Sequence, residues 1–482
     1  MIDVRPVFNV IGVLVASLGV TMIVPFATDV YFDNGHWPIF LESAALTVLV
    51  GVALALATGN ATGQGLSIQQ TFLLTTSVWA ALPLFGAVPF ILGATQASFT
   101  DAYFEAMSGL TTTGSTVLSG LDALPEGIIV WRAILQWLGG VGIIVVAMVF
   151  LPELRVGGMQ IFRSEGFDTF GKILPRATEI AARVSWIYFG LTVLCTVVYI
   201  AAGMRTFDAV VHSMTTLSTG GFAAHDASFA VFPPGAQYAA VVFMCLAALP
   251  FVRFVQLLDG QTRPLFSDQQ IQLFLVLIAA LTAGVALWLQ TTQSPGWEVA
   301  LRQTLFNLTS IVTGTGYAST DYGQWGAVAL VVVFFAGLIG GCAGSTSCSV
   351  KVFRYQLLYV AAKQQVRQIF SPSGIFPMRY AGRSVAPDVM NSVLSFFVIF
   401  IASVGGLTVA LSLTGLDLIT SLSGATAALA NIGPGLGPEI GPAGNFGGLN
   451  DPAKWLLSFG MLLGRLEILA VFTLFTVAFW RS

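Results

Sequence analysis

Long stretches of this chain carry no charge at all. Runs such as Phe8 to Phe26, Phe72 to Leu92 and Phe396 to Leu413 are long enough to cross a hydrocarbon core, which takes about 20 residues of helix, and about ten such runs can be counted. Charged residues make up 9% of the 482 residues, against roughly 25% in an average soluble domain. The expectation is an all-α polytopic membrane protein. The opening segment MIDVRPVFNVIGVLVASLGVTMIVPF lacks a small-residue cleavage site after a short apolar core, so it reads as the first span rather than a signal peptide.

A net charge of −3 leaves no footprint for nucleic acid. Cys195, Cys245, Cys342 and Cys348 show no zinc spacing, and two lie inside apolar runs, so they read as small hydrophobes. His36, His212 and His225 show no metal spacing either, and His212 reads as a packing or loop contact.

Most of the 20 Lys and Arg residues fall on one side of the expected spans, among them Arg5, Arg155, Arg163, Lys172, Arg176, Arg183, Lys351, Arg354, Lys363, Arg367, Arg379 and Arg383. Arg132, Arg205, Arg302 and Lys454 fall toward the other, with acids such as Asp29, Asp122, Asp226 and Glu439. Positive residues accumulate on the cytoplasmic side, which places both termini in the cytoplasm.

One polar motif occurs four times. Aligned on one glycine each, the copies are AMSGLTTTGST at Gly114, SMTTLSTGGFA at Gly221, TSIVTGTGYAS at Gly316 and AALANIGPGLG at Gly433. An apolar residue stands four positions before each glycine: Leu110, Leu217, Val312 and Leu429. Gly220 is an alternative anchor for the second copy. Before each strip runs a short amphipathic stretch opening near an acid (Asp101, Asp208, Glu298, Asp417), which suits a helix N-terminus. Long apolar segments flank each copy.

The unit is therefore helix, pore loop, helix, with boundaries expected at 66–179, 180–264, 265–386 and 387–482. Two extra transmembrane helices, near 7–27 and 37–57, occupy 1–65. Every pore loop enters from the outer side, so the units are parallel, as a ring around a central pore requires.

Non-helical backbone is tolerated at membrane depth only where protein surrounds it or it lines a watery cavity. Four strips converging on one axis would form a ring of carbonyl oxygens that replaces the hydration shell of a cation. The candidate filter residues are Thr111, Thr112, Thr113 and Gly114; Ser218, Thr219, Gly220 and Gly221; Thr313, Gly314, Thr315 and Gly316; and Asn431, Ile432 and Gly433.

Two features lie beyond the strips. Gly340, Gly341, Ala343, Gly344, Ser345 and Ser347 interrupt the second helix of the third unit, which reads either as a helix break or as close packing through small residues. Arg465 sits near the middle of the last span, taken as Trp455 to Trp480. It faces either the pore or an ion-pair partner; Glu467 lies on a different face and is a poor partner for it.

Over nearly the whole chain, FEAMSGLTTTGST, STGGFAAHD, NIGPGLGP, GGCAGSTSCSVKVFR and GMLLGRLEIL resemble the TrkH/KtrB superfamily of potassium uptake proteins, nearest its TrkH branch. The resemblance implies potassium as the transported ion, no organic cofactor, and a homodimer with one pore per subunit, embedded in membrane lipid. It further implies gating by a cytosolic nucleotide-binding subunit resembling TrkA; the basic face of Lys351, Arg354, Lys363, Arg367, Arg379 and Arg383 reads either as the ordinary positive-inside signature or as the surface that docks this subunit. By the same resemblance Gly340, Gly341, Cys342, Ala343, Gly344, Ser345, Thr346 and Ser347 form an intramembrane gate loop, with Arg465 below the filter. Ser347, Cys348 and Ser349 depart from the family's glycine-rich continuation.

Together with the resemblance, these readings give a potassium-selective, channel-like uptake protein of the bacterial plasma membrane, not an enzyme. A sodium- or proton-coupled symporter with a midplane ion site is the rival.

Overall fold

The computed structural model of the chain describes residues 2–61, 66–146 and 177–481. Arg155, Arg163, Lys172 and Arg176, counted above on the positive side, lie outside the described residues. Among the described residues, seven helices are long and apolar enough to cross a membrane, with a bent pair as an eighth. The described residues are mainly helical, and a two-residue antiparallel ribbon pairs Arg379–Tyr380 with Arg383–Ser384.

The first helix, Arg5–Thr21, continues past Met22 into Ile23–Phe32, and the pair reads as one 28-residue span. It lies against Trp37–Thr58. Their approach depends on glycine: a Cβ on Gly12 would meet the Ala55 backbone at 2.6 Å, and one on Gly51 would meet Ala16 just as tightly, the close contact that small residues permit between membrane helices. Asp29, fully buried, anchors these two helices to the next unit. Its carboxylate accepts the Gly127 N–H at 2.7 Å, at the N-terminus of Glu126–Val145, where a negative charge also suits the helix dipole.

Four units follow. In the first, Ile68–Gly86 and Val88–Leu92 lead to a short pore helix, Phe99–Leu110, and then to Glu126–Val145. The second contains Ala177–Ala201, Thr206–Leu217 and Pro234–Ala247. In the third come Gln269–Thr292, Trp297–Thr313 and Ala327–Gly337, and in the fourth Pro387–Leu413, Leu418–Ala430 and Asp451–Arg465. Asp101, Asp208 and Glu298 stand in the first turns of three pore helices. Asp417 caps the fourth, accepting from the Ile419 and Thr420 N–H groups, so it satisfies donors that a helix start leaves free.

The last helix of three units breaks. In the second unit Pro234–Ala247 turns through 91° into Phe251–Leu258, at Pro250, whose ring cannot supply an N–H to a continuing helix. The third unit leaves helix after Gly337 and resumes at Val352–Phe370. The fourth ends at Arg465, where Glu467 and Ile468 take positive φ of 59° and 28°, and continues only as Leu469–Leu474 and Val477–Arg481. The unbroken span expected from Trp455 to Trp480 is corrected here. The break carries no glycine or proline; Glu467 instead pairs with buried Arg354, and that tertiary contact holds the backbone out of helix.

Candidate functional site

Each pore helix ends in the same way. The residue two before the key glycine has left-handed backbone: Thr112 at φ 51°, Thr219 at 50°, Gly314 at 74° and Asn431 at 50°. The N–H one before the glycine then reaches back to the helix, as Thr113 to Ser108 O at 2.9 Å, Gly220 to Thr215 O at 2.9 Å, Thr315 to Ser310 O at 2.8 Å and Ile432 to Ala427 O at 3.0 Å. The left-handed residue donates to the next carbonyl along, completing a Schellman end in all four copies, with bonds of 2.9 to 3.3 Å from Thr112, Thr219, Gly314 and Asn431.

The glycine that follows is again left-handed: Gly114 at φ 88°, Gly221 at 78°, Gly316 at 83° and Gly433 at 104°. Gly220 is not among the positive-φ residues, so Gly221 is the backbone equivalent of the other three. A Cβ would strain this conformation.

The four strips meet in a closed cycle. A Cβ on each key glycine would fall 3.0 Å or less from the carbonyl oxygen just ahead of the next strip's glycine: Gly114 against Gly220, Gly221 against Thr315, Gly316 against Ile432, and Gly433 against Thr113. The order is first to second to third to fourth and back to first. At Gly114, Gly221 and Gly316 no side chain larger than hydrogen fits without moving the next strip, and at Gly433 the approach is tight.

Side chains tie the ring together from within and behind. Thr111 and Thr113 hydroxyls share a 2.7 Å hydrogen bond, as do Thr313 and Thr315. Asn431 Nδ2 donates to Thr113 Oγ1 at 2.9 Å, and Ser115 Oγ donates to Gly433 O at 2.7 Å. Gln136 holds the second strip at two points, donating to Gly220 O at 2.6 Å and accepting from Phe222 N at 3.0 Å. Ser218 and Thr219 lie buried, with their hydroxyls on backbone carbonyls.

A cavity of about 420 Å³ opens on one side of the ring, bordered by Gly114, Gly221, Gly316 and Pro434, with Arg132, His225, Asp226 and Glu439 in its wall. His212 lies behind it, buried; its Nε2 accepts from the Ala224 N–H at 3.3 Å, a loop contact.

On the other side of the ring lies the interrupted segment of the third unit. Its backbone bonds to the bend of the second unit: Cys342 N to Ala248 O at 2.9 Å, Thr346 N to Ala247 O at 3.3 Å, and Phe251 N to Gly344 O at 2.9 Å. Within the segment, Gly340 N donates to Val350 O at 2.9 Å, Gly341 N to Ser347 Oγ at 2.8 Å, and Ser345 Oγ to Cys342 O at 2.7 Å. Ala343 N donates to the buried Gln270 at 3.1 Å. The Cys348 N lies 3.8 Å from where a Gly314 Cβ would stand, so the segment abuts the third strip. It is a hydrogen-bonded loop, and the small residues serve that backbone rather than packing of a continuous helix.

Arg465 joins the loop to the first unit. Its side chain is buried, and it donates from Nη1 to Thr346 O at 3.3 Å, packs the same nitrogen against Cys348 Sγ, and donates from Nη2 to Gly139 O at 2.8 Å. The guanidinium lies 5.5 Å from the Trp79 ring centroid. Among the described residues no carboxylate pairs with it. Lys351, also buried, donates to Ser347 O, so the region below the ring is rich in positive charge.

Sequence reasoning missed Gln136, the buried Glu105–Arg132 pair and the role of Cys348. Glu105 and Arg132 did carry a signal, as charges inside otherwise apolar helices.

A family model for cation transport proteins, TrkH, matches residues 36–481. The chain is 42% identical to the Trk system potassium uptake protein TrkI of Halomonas elongata, over 99% of this chain and 97% of that protein. It is 37% identical to TrkH of the same organism, over 100% of both. The crystal structure of the potassium transporter TrkH from Vibrio parahaemolyticus superposes with a TM-score of 0.92 at 33% identity, covering 100% of both chains. With a ring of four glycine strips, a hydrogen-bonded loop beneath it and a match over nearly its full length, the chain belongs to the TrkH family of cation transport proteins, which are transporters and not enzymes.

Proposed function

We propose that the chain takes up potassium across the bacterial inner membrane through the pore bounded by the four strips. The observation that carries this reading is the cyclic contact of each key glycine with the carbonyl ahead of the next. Backbone oxygens held at fixed spacing can replace a cation's water shell. The four pore helices direct the negative ends of their dipoles toward the same ring, which favours a cation and disfavours an anion.

In this reading residues 66–179, 180–264, 265–386 and 387–482 are the four pore repeats. Thr111–Gly114, Ser218–Gly221, Thr313–Gly316 and Asn431–Gly433 supply the potassium ligands. The loop from Gly340 to Ser347, with Arg465, obstructs the path below. Lys363, Arg367 and Arg379 are exposed and offer a basic cytoplasmic face to a regulatory subunit resembling TrkA, the active form being a homodimer with both termini in the cytoplasm.

The test is growth of a potassium-transport-deficient bacterium on limiting potassium, followed by reversal potentials of the purified protein under crossed potassium, sodium and proton gradients. Restored growth with a reversal potential that follows potassium alone is expected. A reversal potential that shifts with sodium or protons would replace the channel reading by coupled symport.

A further inference from the structure

We propose that Cys348 positions Arg465 across the ion path, so that in this chain a thiol–guanidinium contact sets how firmly the loop closes. The proposal rests on the reading of the loop and Arg465 as the obstruction below the ring. Among the described residues, Arg465 reaches the loop at two atoms, the backbone oxygen of Thr346 at 3.3 Å and the sulfur of Cys348, against which Nη1 is packed. Cys348 is therefore the one loop side chain among the described residues that holds the guanidinium.

Three groups converge at this residue. Its backbone N abuts the third strip beside Gly314, its side chain meets the fourth unit at Arg465, and Arg465 in turn holds Gly139 of the first unit. Around it, Lys351 donates to Ser347 O and Ser349 Oγ to Gly337 O at 2.9 Å, so the backbone on either side of the thiol is fixed. The neighbouring Ser349 takes a left-handed φ of 60°, which turns the chain at this point. A thiol is a weak hydrogen-bond acceptor. A latch made with it holds the arginine in place yet releases at lower cost than a carboxylate would.

Arg465 Nε is buried and has no partner among the described residues. The guanidinium thus depends on the contacts at its two terminal nitrogens, and removal of the sulfur leaves only carbonyl oxygens on either side of the path. The arginine would then have more than one orientation, and its charge would no longer be fixed on the path.

The experiment compares the full-length parent with Cys348→Ala, Cys348→Ser, Arg465→Ala and the Cys348→Ala/Arg465→Ala double variant in liposomes, reading rubidium flux per folded protein and melting temperature. Cys348→Ala is expected to raise flux severalfold, and Cys348→Ser to stay near the parent because its hydroxyl still accepts. The double variant is expected to match Arg465→Ala in flux, the non-additivity that marks one shared interaction. Unchanged flux in Cys348→Ala, or an equal rise from it in the Arg465→Ala background, overturns the proposal. Should Cys348→Ala not purify folded, Cys348→Val keeps the bulk without an acceptor and carries the same expectation. If the parent itself carries no flux, the transport reading fails separately; additive losses of melting temperature across the parent, the two alanine variants and their double would then still refute the contact, and non-additive losses support it.

Discussion

Arg132 donates from Nε to Glu105 Oε1 across 2.8 Å, with both side chains shut away from solvent. The pair braces the ring from behind. Glu105 also accepts from Thr116 Oγ1 at 3.0 Å and Val117 N at 2.9 Å, just past Gly114. Arg132 Nη1 donates to Ala223 O at 2.7 Å, two residues past Gly221, and the guanidinium lies 4.2 Å from the Phe222 ring. Truncating one partner leaves the other charged and buried, at a cost of about 3–5 kcal/mol. Arg132→Ala and Glu105→Ala are each expected to lower the melting temperature sharply. A combined change of both to apolar residues of similar volume should cost less than either single change, and thermal unfolding in detergent checks this.

Gly221 and Gly220 are adjacent but not interchangeable. Gly221 has φ 78° and faces Thr315 O, whereas a Cβ on Gly220 would meet the end of the Gln136 side chain. Gly221→Ala is expected to lower the potassium-to-sodium permeability ratio as strongly as Gly114→Ser does. Gly220→Ala displaces a side chain instead of a neighbouring strip and should change the ratio less. Equal ratios in Gly114→Ser and the parent would remove Gly114 from the proposed filter.

At the mouth, Asp122 accepts from His225, while His225 also faces Asp208 at 3.3 Å. The hydrogen bond to His225 holds the Asp122 carboxyl below its ordinary value of 3.8. A carboxyl with a depressed folded-state pKa contributes stability above its unfolded value and loses it as pH falls through the folded one. Melting temperature should therefore drop on acidification below about pH 4, the unfolded carboxylate range. Asp122→Asn should show a smaller drop over that window; an identical acid profile would show that this contact does not contribute.

Much of the fold was legible because membrane burial leaves few alternatives. The four glycine strips, their spacing and the acids ahead of them prescribed the pore helices, since a helix that must stop at membrane depth needs a left-handed end and each copy supplies one. The breaks were less legible, for different reasons. Leu249–Pro250 sits in an unbroken apolar run, and a proline that begins a helix looks like one that bends it. The turn at Glu467 contains only good helix formers; Arg354, 113 residues away, imposes it. Cys348 and Arg465 are 117 residues apart, so no local pattern signals their contact. Gln136 was hidden for the same reason, because its partners in the second strip are set by the closing of the ring.

The loop beneath the ring is attached through Ala247 and Ala248 to the bend of the second unit. Deleting residues from Gly341 to Ser347 removes the bonds of Cys342 and Thr346 to that bend and should raise flux, with less dependence on a cytosolic partner. Flux in liposomes, with and without an added TrkA-like subunit, is the measurement. Lower flux from a well-folded deletion would mean that the loop shapes the path without obstructing it.

Arg465 makes the sharpest prediction, because its guanidinium stays protonated at physiological pH. A potassium ion passing about 6 Å away would meet a repulsion of roughly 3 kcal/mol at an effective dielectric near 20. Its partners are two carbonyl oxygens and a sulfur, so Arg465→Ala leaves no carboxylate stranded among the described residues. The usual penalty for breaking a buried ion pair therefore does not apply, and the loss is of contacts from the charged guanidinium to neutral acceptors. Arg465→Ala is expected to raise potassium or rubidium flux per folded protein with a modest fall in melting temperature. Arg465→Lys keeps the charge, though not the forked contacts to Gly139 and Thr346, and should stay much closer to the parent in flux. If Arg465→Ala instead lowers both flux and stability, the arginine holds the pore together and does not block it.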